Sequence, residues 1–305
     1  MTTSHDLVIV GGGIAGMTAA IYAARADLDV LLLEREICGG LANSTYSVEN
    51  FPSYQRINGM ELMQKVKDHV ESLKVKIEEI SEVENFEFDA DHKIVSTPEQ
   101  RYHAKSVILA TGRVPIHLPI ETDWEEHIHY CSVCDGIAYK GKDLVLVGGG
   151  NSSFDESLYL IDLGVRSIVI IEAMETCVAE EVTQRKAFAT GKIAARTNAR
   201  LSAIIPQAGR GRIVVEDIAS GSSEDIAADG VFVFIGQQPN TRTLKGKIDL
   251  DTNGYIVTDY LMHTNRSGVF AAGDVIAKKY RQLTTAMSDG TIAALEAVKY
   301  IRECA

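Results

Sequence analysis

Three clusters in this 305-residue chain combine residue types and spacings that do chemistry. Cys131 and Cys134 stand in CSVCDG as a C-x-x-C pair. Gly11, Gly13 and Gly16 stand in a G-x-G-x-x-G turn. Gly148 and Gly150 open a second turn in nearly the same words: DLVIVGGG begins at Asp6 and DLVLVGGG at Asp143. The thiol pair has three readings. Structural zinc needs four ligands, and beyond the two cysteines only His127 and His129 stand near enough in sequence to contribute. A structural disulfide belongs to an oxidising compartment. A redox dithiol cycles by thiolate attack and mixed-disulfide exchange. Asp135, the next residue, is either a helix-capping carboxylate or a general acid for a leaving thiolate.

The elements that must hold these groups are legible from periodicity. LVIV is an apolar run, as expected of a parallel strand buried on both faces. It enters the turn at Gly11, continues into MTAAIYAARAD as a helix, then into LDVLLLE, a strand ending at Glu34, 23 residues after Gly11. Strand, glycine turn, helix, strand and terminal acid make a dinucleotide-binding fingerprint. Gly11 permits the tight turn, Gly13 lets a pyrophosphate approach, and Gly16 lets helix and strand pack. The helix N-terminus, with Ile14 and Ala15 in its first turn, faces the phosphates, and Glu34 can accept from a ribose hydroxyl. The second copy repeats this architecture. Asn151, Ser152 and Ser153 follow its turn, Phe154, Leu158 and Ile161 share one helix face, and Glu172 lies 24 residues after Gly148. Ser153 replaces the third glycine, so the repeat is either a ligand site or an architectural copy. Two such units suggest a flavin and a nicotinamide dinucleotide, with a hydride passing between them.

Composition bounds the rest. The net charge of −12 argues against a general nucleic-acid or membrane-surface binder. No run of about 18 apolar residues predicts a membrane span. The first strand starts too early for a signal peptide, which predicts a cytoplasmic protein. Five cysteines, with Cys38, Cys177 and Cys304 isolated, do not form a secreted disulfide framework.

With fingerprint, dithiol and fingerprint in this order, the sequence resembles the low-molecular-weight, bacterial-type thioredoxin reductase family over essentially its whole length. GGGIAGMTAAIYAAR resembles the family's flavin-binding opening. CGGLANSTYSVENFPSY, with Gly40, Asn50 and Pro52, resembles its next segment, although Leu41 replaces the usual Gln. VILATG, ending in Ala110, Thr111 and Gly112, CSVCDG, VFVFIGQQPNT and GVFAAGDV…YRQLTTAMSDGTIAA complete the match. The resemblance implies an α/β fold of two Rossmann-like, three-layer dinucleotide-binding domains, the second inserted in the first. The FAD domain is expected over residues 1–115 and 243–305, and the nicotinamide-type domain over 116–242. FAD is the implied cofactor, held by Gly11 to Gly16, Glu34, Arg35, Gly40, Leu41, Asn50 and Ala110 to Gly112. Asp274 is expected at the ribityl chain, and Arg281 and Gln282 near the flavin. Cys134 is expected to face the flavin, Cys131 to attack a thioredoxin-like protein disulfide, and Asp135 to act as acid. A homodimer is implied. So is a rotation of one domain against the other at ATGRVP and GQQPNT, because the dithiol must meet first the flavin and then a bulky substrate.

The resemblance breaks where NADPH-using relatives carry H-R-R-x-x-x-R, whose arginines bind the 2′-phosphate. Here those places hold Glu172, Ala173, Met174 and Val178. A carboxylate about 4 Å from a phosphate at a partly exposed site is repelled by up to roughly 4 kcal/mol. Glu172 instead suits the bare ribose diol of NADH. With Gly148, Gly150, Asn151 and Ser152 it forms the expected second dinucleotide site. The same loss fits an enzyme fed by ferredoxin, or a dithiol oxidase passing electrons to oxygen. Lys278, Lys279 and Arg281 are either solvated charge or a docking patch for an acidic carrier. His127 and His129 are expected on the surface, and Cys38 near the FAD adenosine without a redox role.

Overall fold

The computed structural model describes residues 2–89 and 93–304. In chain order the regular elements are β1 (Thr2–Val10), α1 (Ile14–Arg25), β2 (Val30–Leu33), α2 (Gly59–Ser72), β3 (Lys76–Glu78), β4 (Asn85–Phe88), β5 (Lys93–Ser96), β6 (Arg101–Leu109) and β7 (Arg113–Pro115). There follow β8 (Ile128–His129), α3 (Ser132–Asp135), β9 (Asp143–Val147), α4 (Asn151–Asp162), β10 (Ser167–Ile171), α5 (Glu181–Ala189) and β11 (Ile193–Arg196). The chain ends with β12 (Ala199–Gln207), β13 (Arg210–Asp217), β14 (Ser223–Ala228), β15 (Gly230–Val233), β16 (Gln237–Pro239), β17 (Val269–Ala271) and α6 (Leu283–Glu303). No described helix is long and apolar enough to cross a membrane.

Two compact units result. Residues Met1–Val114 and Gln238–Ala305 form the first, and Pro115–Gln237 the second. The return crossing comes earlier than the expected 242/243. Asn240 and Thr241 are already tied into the first unit: the Asn240 amide donates to the Gly112 carbonyl at 3.0 Å, and the Thr241 hydroxyl to the Gly254 carbonyl at 2.7 Å.

The first unit is built on a sheet ordered β3-β2-β1-β6-β5-β4, with β17 also pairing β6. Pairings among β3, β2, β1, β6 and β17 are parallel, while β4 and β5 add an antiparallel edge. Leu7, Ile9, Leu31, Leu32 and Leu33 are fully buried, each contributing about 1.5–3 kcal/mol by leaving water. α1 and α6 pack through small residues. Ala19, Ala20, Ala23, Ala293, Ala294 and Ala297 are all buried, and a Cβ on Gly290 would overlap the Ala15 carbonyl.

The second unit carries the all-parallel sheet β11-β10-β9-β15-β8 and the antiparallel meander β12-β13-β14. Alternation along β9 explains its layers. Leu144 and Leu146 join Phe154, Leu160 and Phe232 on one side. Val145 and Val147 join Trp124, Ile213 and Val215 on the other. A strand covered on both faces reads as an unbroken apolar run, which is why both glycine turns are preceded by one.

Candidate active site

In the first unit the expected FAD-binding residues gather at the carboxyl ends of the parallel strands, where ligands bind in open α/β sheets. Gly11 leaves β1 with φ 109°, and its amide donates to the Leu33 carbonyl at 2.8 Å. A Cβ there would overlap the Ala110 carbonyl. Gly13 is the N-cap of α1 and makes no side-chain cap bond. A Cβ built on it meets nothing within 4 Å, so the first α1 amides, over Ile14, Ala15 and Gly16, face a cradle of the kind that receives phosphate. Glu34 ends the second strand. Its carboxylate accepts the Gly12 amide at 2.6 Å and the Glu36 amide at 2.9 Å, with lone-pair sites to spare. Arg35 pairs with Glu36 at the surface.

Gly40 and Leu41 begin a 3-10 turn over Gly40–Ser44, anchored next to the cradle by the Gly39 amide donating to the Gly12 carbonyl at 2.8 Å. Ala110, Thr111 and Gly112 follow β6, with the Thr111 hydroxyl donating to the Asn240 carbonyl at 2.9 Å. Asn50 donates to the Gln282 side chain at 3.2 Å, and Gln282 is the N-cap of α6. Arg281 donates to the carbonyls of Asp274 and Ile276 and lies 4.0 Å over the Tyr255 ring. Asp274 is the informative residue. Its Oδ1 is buried without a hydrogen-bond partner, and the Lys278 ammonium stands 3.6 Å away. Burial raises its carboxyl above the ordinary range, against the pull of Lys278, Arg113 and Arg281. A buried acceptor without a donor is destabilising, and the hydroxyls of a ribityl chain would supply one. Open cradle, spare Glu34 lone pairs and orphaned Asp274 oxygen together fit FAD.

The basic cluster beside this groove is largely taken up by neighbouring groups. Lys278 bonds Asp289 at 2.6 Å and Arg281 is folded inward, so of the three expected cations Lys279 alone is exposed, stacked on Tyr280.

In the second unit Cys131 and Cys134 are joined as a disulfide, with Cα atoms 5.4 Å apart. The Cys131 sulfur accepts the Cys134 amide at 3.1 Å. Asp135 begins the 3-10 turn over Gly136–Tyr139, yet its carboxylate makes no cap bond. It lies instead 3.2 Å from His129 Nδ1. The expected surface position of His129 is therefore corrected. β8 pairs with β15, setting His129 opposite Phe232, and the rings stack at 4.9 Å. His129 Nε2 meets the Tyr139 hydroxyl at 2.6 Å, and that hydroxyl meets His127 Nδ1 at 3.4 Å. His127 is partly exposed. His127 ends a 3-10 turn over Glu125–His127 and only His129 lies in β8, so strand alternation along HIHY does not by itself bring the two rings together.

Glu156 was also missed. It lies on α4, facing the dithiol segment, and its Oε2 is buried without a hydrogen-bond partner. Burial pushes the carboxyl up to about 7 from 4.5, with Ser132 pulling it partly back and Asp155 adding to the rise. The folded state thus holds a proton that the unfolded chain releases above pH 4.5, so stability falls as pH rises from about 4.5 through 7. Glu156→Gln removes that penalty. Thermal melts should show the variant near wild type at pH 4.5 and more stable at pH 8, by up to about 3 kcal/mol. Equal melting temperatures at pH 8 would contradict this assignment.

The second glycine turn matches the first in detail. Gly148 has φ 105°, its amide donates to the Ile171 carbonyl at 2.8 Å, and a Cβ would overlap the Phe234 carbonyl. Gly150 is an uncapped N-cap with open space above it. Glu172 accepts the amides of Gly149 and Met174 as Glu34 accepts those of Gly12 and Glu36, although Glu172 is more deeply covered, at 7% exposure. Cys38 and Cys177 hold equivalent places against Gly12 and Gly149. Burial raises both thiols, Cys38 to about 12, so neither supplies thiolate at neutral pH. The copies differ at the third glycine, where Ser153 is fully buried with its hydroxyl unpartnered. They differ also after the turn, where Asn151 accepts the Glu180 amide at 2.7 Å. Ser152 is exposed beside it. Met174 and Val178 are exposed, and residues 172–184 hold no Lys, Arg or His.

Comparison with known proteins gives a consistent set. Residues 5–290 match the pyridine nucleotide-disulphide oxidoreductase family. A 34.2 kDa protein in the rubredoxin operon of Clostridium pasteurianum is 44% identical over 97% of this chain and 97% of its own length. The thioredoxin reductase of Bacillus subtilis is 34% identical over 98% of this chain and 95% of its own. The solved thioredoxin reductase of Lactococcus lactis matches with a TM-score of 0.92 at 36% identity, covering 98% of this chain and 99% of that one. That of T. acidophilum matches at 0.89 and 33%, covering 99% of each.

Proposed function

The chain belongs to the pyridine nucleotide-disulphide oxidoreductase family, as a flavin disulfide oxidoreductase of the low-molecular-weight thioredoxin-reductase type, and we propose that it passes electrons through the Cys131–Cys134 pair to a thioredoxin-like protein disulfide. The observation that carries this reading is the closed Cys131–Cys134 disulfide followed by a carboxylate that is not spent on capping. The first-unit cradle would hold the FAD pyrophosphate at Gly11 to Gly16, Glu34 the ribose and Asp274 the ribityl chain, with Arg281, Gln282 and Asn50 toward the ring. When bound, FAD would supply the electron pair that reduces the disulfide.

The chain's own residues then perform exchange. The Cys131 thiolate attacks one sulfur of the partner disulfide, forming an S–S bond to it. The partner's other sulfur leaves and takes a proton from Asp135. Cys134 attacks the Cys131 sulfur, which re-forms the internal disulfide and frees the partner's second thiol. The crossings near Val114 and Gln237 are the hinges by which the pair serves flavin and substrate in turn. The working form is a cytoplasmic homodimer.

NADH is the favoured donor, ahead of NADPH. Glu172 follows the second strand of this turn as Glu34 follows that of the first, which suits a bare ribose diol, and residues 172–184 hold no Lys, Arg or His for a 2′-phosphate. A second reading has one specific support, the relative encoded in a rubredoxin operon: a small iron–sulfur protein such as ferredoxin feeds the flavin directly, or the dithiol runs backwards toward oxygen. Anaerobic mixing of the oxidised holoenzyme with NADH, NADPH or reduced ferredoxin, followed by flavin bleaching, decides between them. NADH is expected to bleach fastest. Rapid bleaching by NADPH would overturn the donor assignment, and bleaching by ferredoxin alone would make the second glycine turn an architectural copy.

A further inference from the structure

Beyond the exchange chemistry, and resting on Asp135 as its acid, we propose that His129 is a positioning residue that orients Asp135 and resupplies its proton from His127 through Tyr139. The geometry is a continuous chain of polar contacts inside the second unit. His129 Nδ1 is 3.2 Å from Asp135 Oδ2, His129 Nε2 is 2.6 Å from the Tyr139 hydroxyl, and His127 Nδ1 is 3.4 Å from the same hydroxyl. His127 Nε2 reaches Glu126 at 3.6 Å.

The tautomers follow from the partners. Once it has given its proton to the leaving thiolate, Asp135 only accepts, so His129 faces it with the hydrogen on Nδ1. Burial lowers the His129 pKa, against the opposing pull of Asp135, which keeps the ring neutral and its Nε2 an acceptor. The Tyr139 O–H therefore donates to Nε2, and its oxygen accepts from His127 Nδ1–H. Every donor points toward Asp135. Burial also pushes the Tyr139 hydroxyl up to about 12, with Asp135, Asp229 and Glu126 adding to the rise, so it stays protonated throughout the working range. Lys142 lies 5.0 Å over the Tyr139 ring, and Phe232 stacks on His129.

The function of such a chain follows from burial. The Asp135 side chain is 41% exposed, that of His129 15% and that of His127 34%. While a protein disulfide covers the dithiol, Asp135 loses its water, and His127, 34% exposed, is the other solvent-accessible end of the chain of contacts. After Asp135 has protonated the leaving thiolate, His129 Nδ1–H passes to Asp135, Tyr139 O–H to His129 Nε2, and His127 Nδ1–H to the Tyr139 oxygen. Water restores His127 at Nε2. In sum one proton enters at His127 and one leaves on the partner's thiol, and no electrons move along the chain.

The test uses the FAD-loaded full chain, reduced stoichiometrically with dithionite and mixed anaerobically with oxidised thioredoxin from pH 6 to 9, with flavin reoxidation followed. No nicotinamide or carrier donor is involved. Tyr139→Phe preserves the His129–Asp135 pair and cuts the supply. It is expected to slow reoxidation by about threefold to tenfold at pH 8.5 and by less than about twofold at pH 6, where solvent protons are plentiful, a fraction of the roughly 10²–10⁴-fold of a general acid. It should also shrink the solvent deuterium isotope effect. His129→Gln is expected to lose about tenfold across the range, and His127→Gln to reproduce Tyr139→Phe in weaker form. Should Tyr139→Phe and His127→Gln keep the wild-type pH profile and isotope effect while Asp135→Asn is slow, the relay is wrong and the acid assignment stands. If Asp135→Asn matches wild type, the acid assignment fails and the relay with it. A wild type that never reoxidises with thioredoxin sinks the proposed function itself.

Discussion

Replacing either cysteine of the pair is expected to abolish disulfide reduction, by roughly a thousandfold or more, the scale on which removing a nucleophile acts. The two losses differ in kind. Cys134→Ser keeps the Cys131 nucleophile and lacks the sulfur that resolves it, so it should accumulate a mixed disulfide with thioredoxin, visible as a mass increase of one thioredoxin. Cys131→Ser leaves a thiol at Cys134 and should trap none. Neither changes the first unit, so both should retain FAD. Disulfide reductase activity in Cys131→Ser at the wild-type level would show that the roles are misassigned. A mixed disulfide from Cys131→Ser in place of Cys134→Ser would show that they are reversed.

The second large effect is on the cofactor. The purified wild type is expected to be yellow, with one FAD per chain. Gly11→Val should remove it, because Gly11 combines φ 109° with a site where any Cβ overlaps the Ala110 carbonyl. Positive φ is strained for a β-branched residue, and the overlap displaces the turn that the pyrophosphate must approach. Gly148→Val is the matched control. It places the same strain in the second turn, with φ 105°, and should leave FAD content at the wild-type level while disturbing the second unit. Absorbance of the released flavin against protein concentration reads both. Full flavin content in Gly11→Val, or a colourless wild type that fails to take up added FAD, would overturn the placement of the cofactor at the first turn.

Much of this site was legible in the sequence because its geometry is local. A strand, a glycine of positive φ, a helix start and a second strand are consecutive, and each constrains the next through backbone sterics and one short hydrogen bond. Gly11 to Leu33 and Gly148 to Ile171 repeat at the same 2.8 Å. The acid at the end of each second strand follows from the same register, and so does the thiol pair, whose partners are three residues apart. Glu34 and Glu172 differ where the local rule stops. Both take two backbone amides, but the cover over Glu172 comes from its particular packing.

What the sequence could not decide were side chains whose partners lie far along the chain or depend on which face is covered. Asp135 reads equally as a helix cap or an acid, and its contact with His129 depends on β8 pairing with β15. That pairing sets His129 against Phe232, and the hydrogen-bonding groups of both His129 and Asp135 follow from it. Whether Lys278 and Arg281 are solvated or form a docking patch stays open in the sequence, because nothing nearby in it shows that Asp289 and Tyr255 contact them. The return crossing shifted to Gln237 because Asn240 and Thr241 find partners at Gly112 and Gly254. Glu156 looked like one polar residue on a helix, and only burial behind the dithiol segment gave it a proton to hold. The sequence by itself determined the two turns, the thiols and their order. The tertiary structure decided which polar groups are desolvated and which partner satisfies each, because a buried group's protonation state and direction of hydrogen bonding depend on every element packed around it.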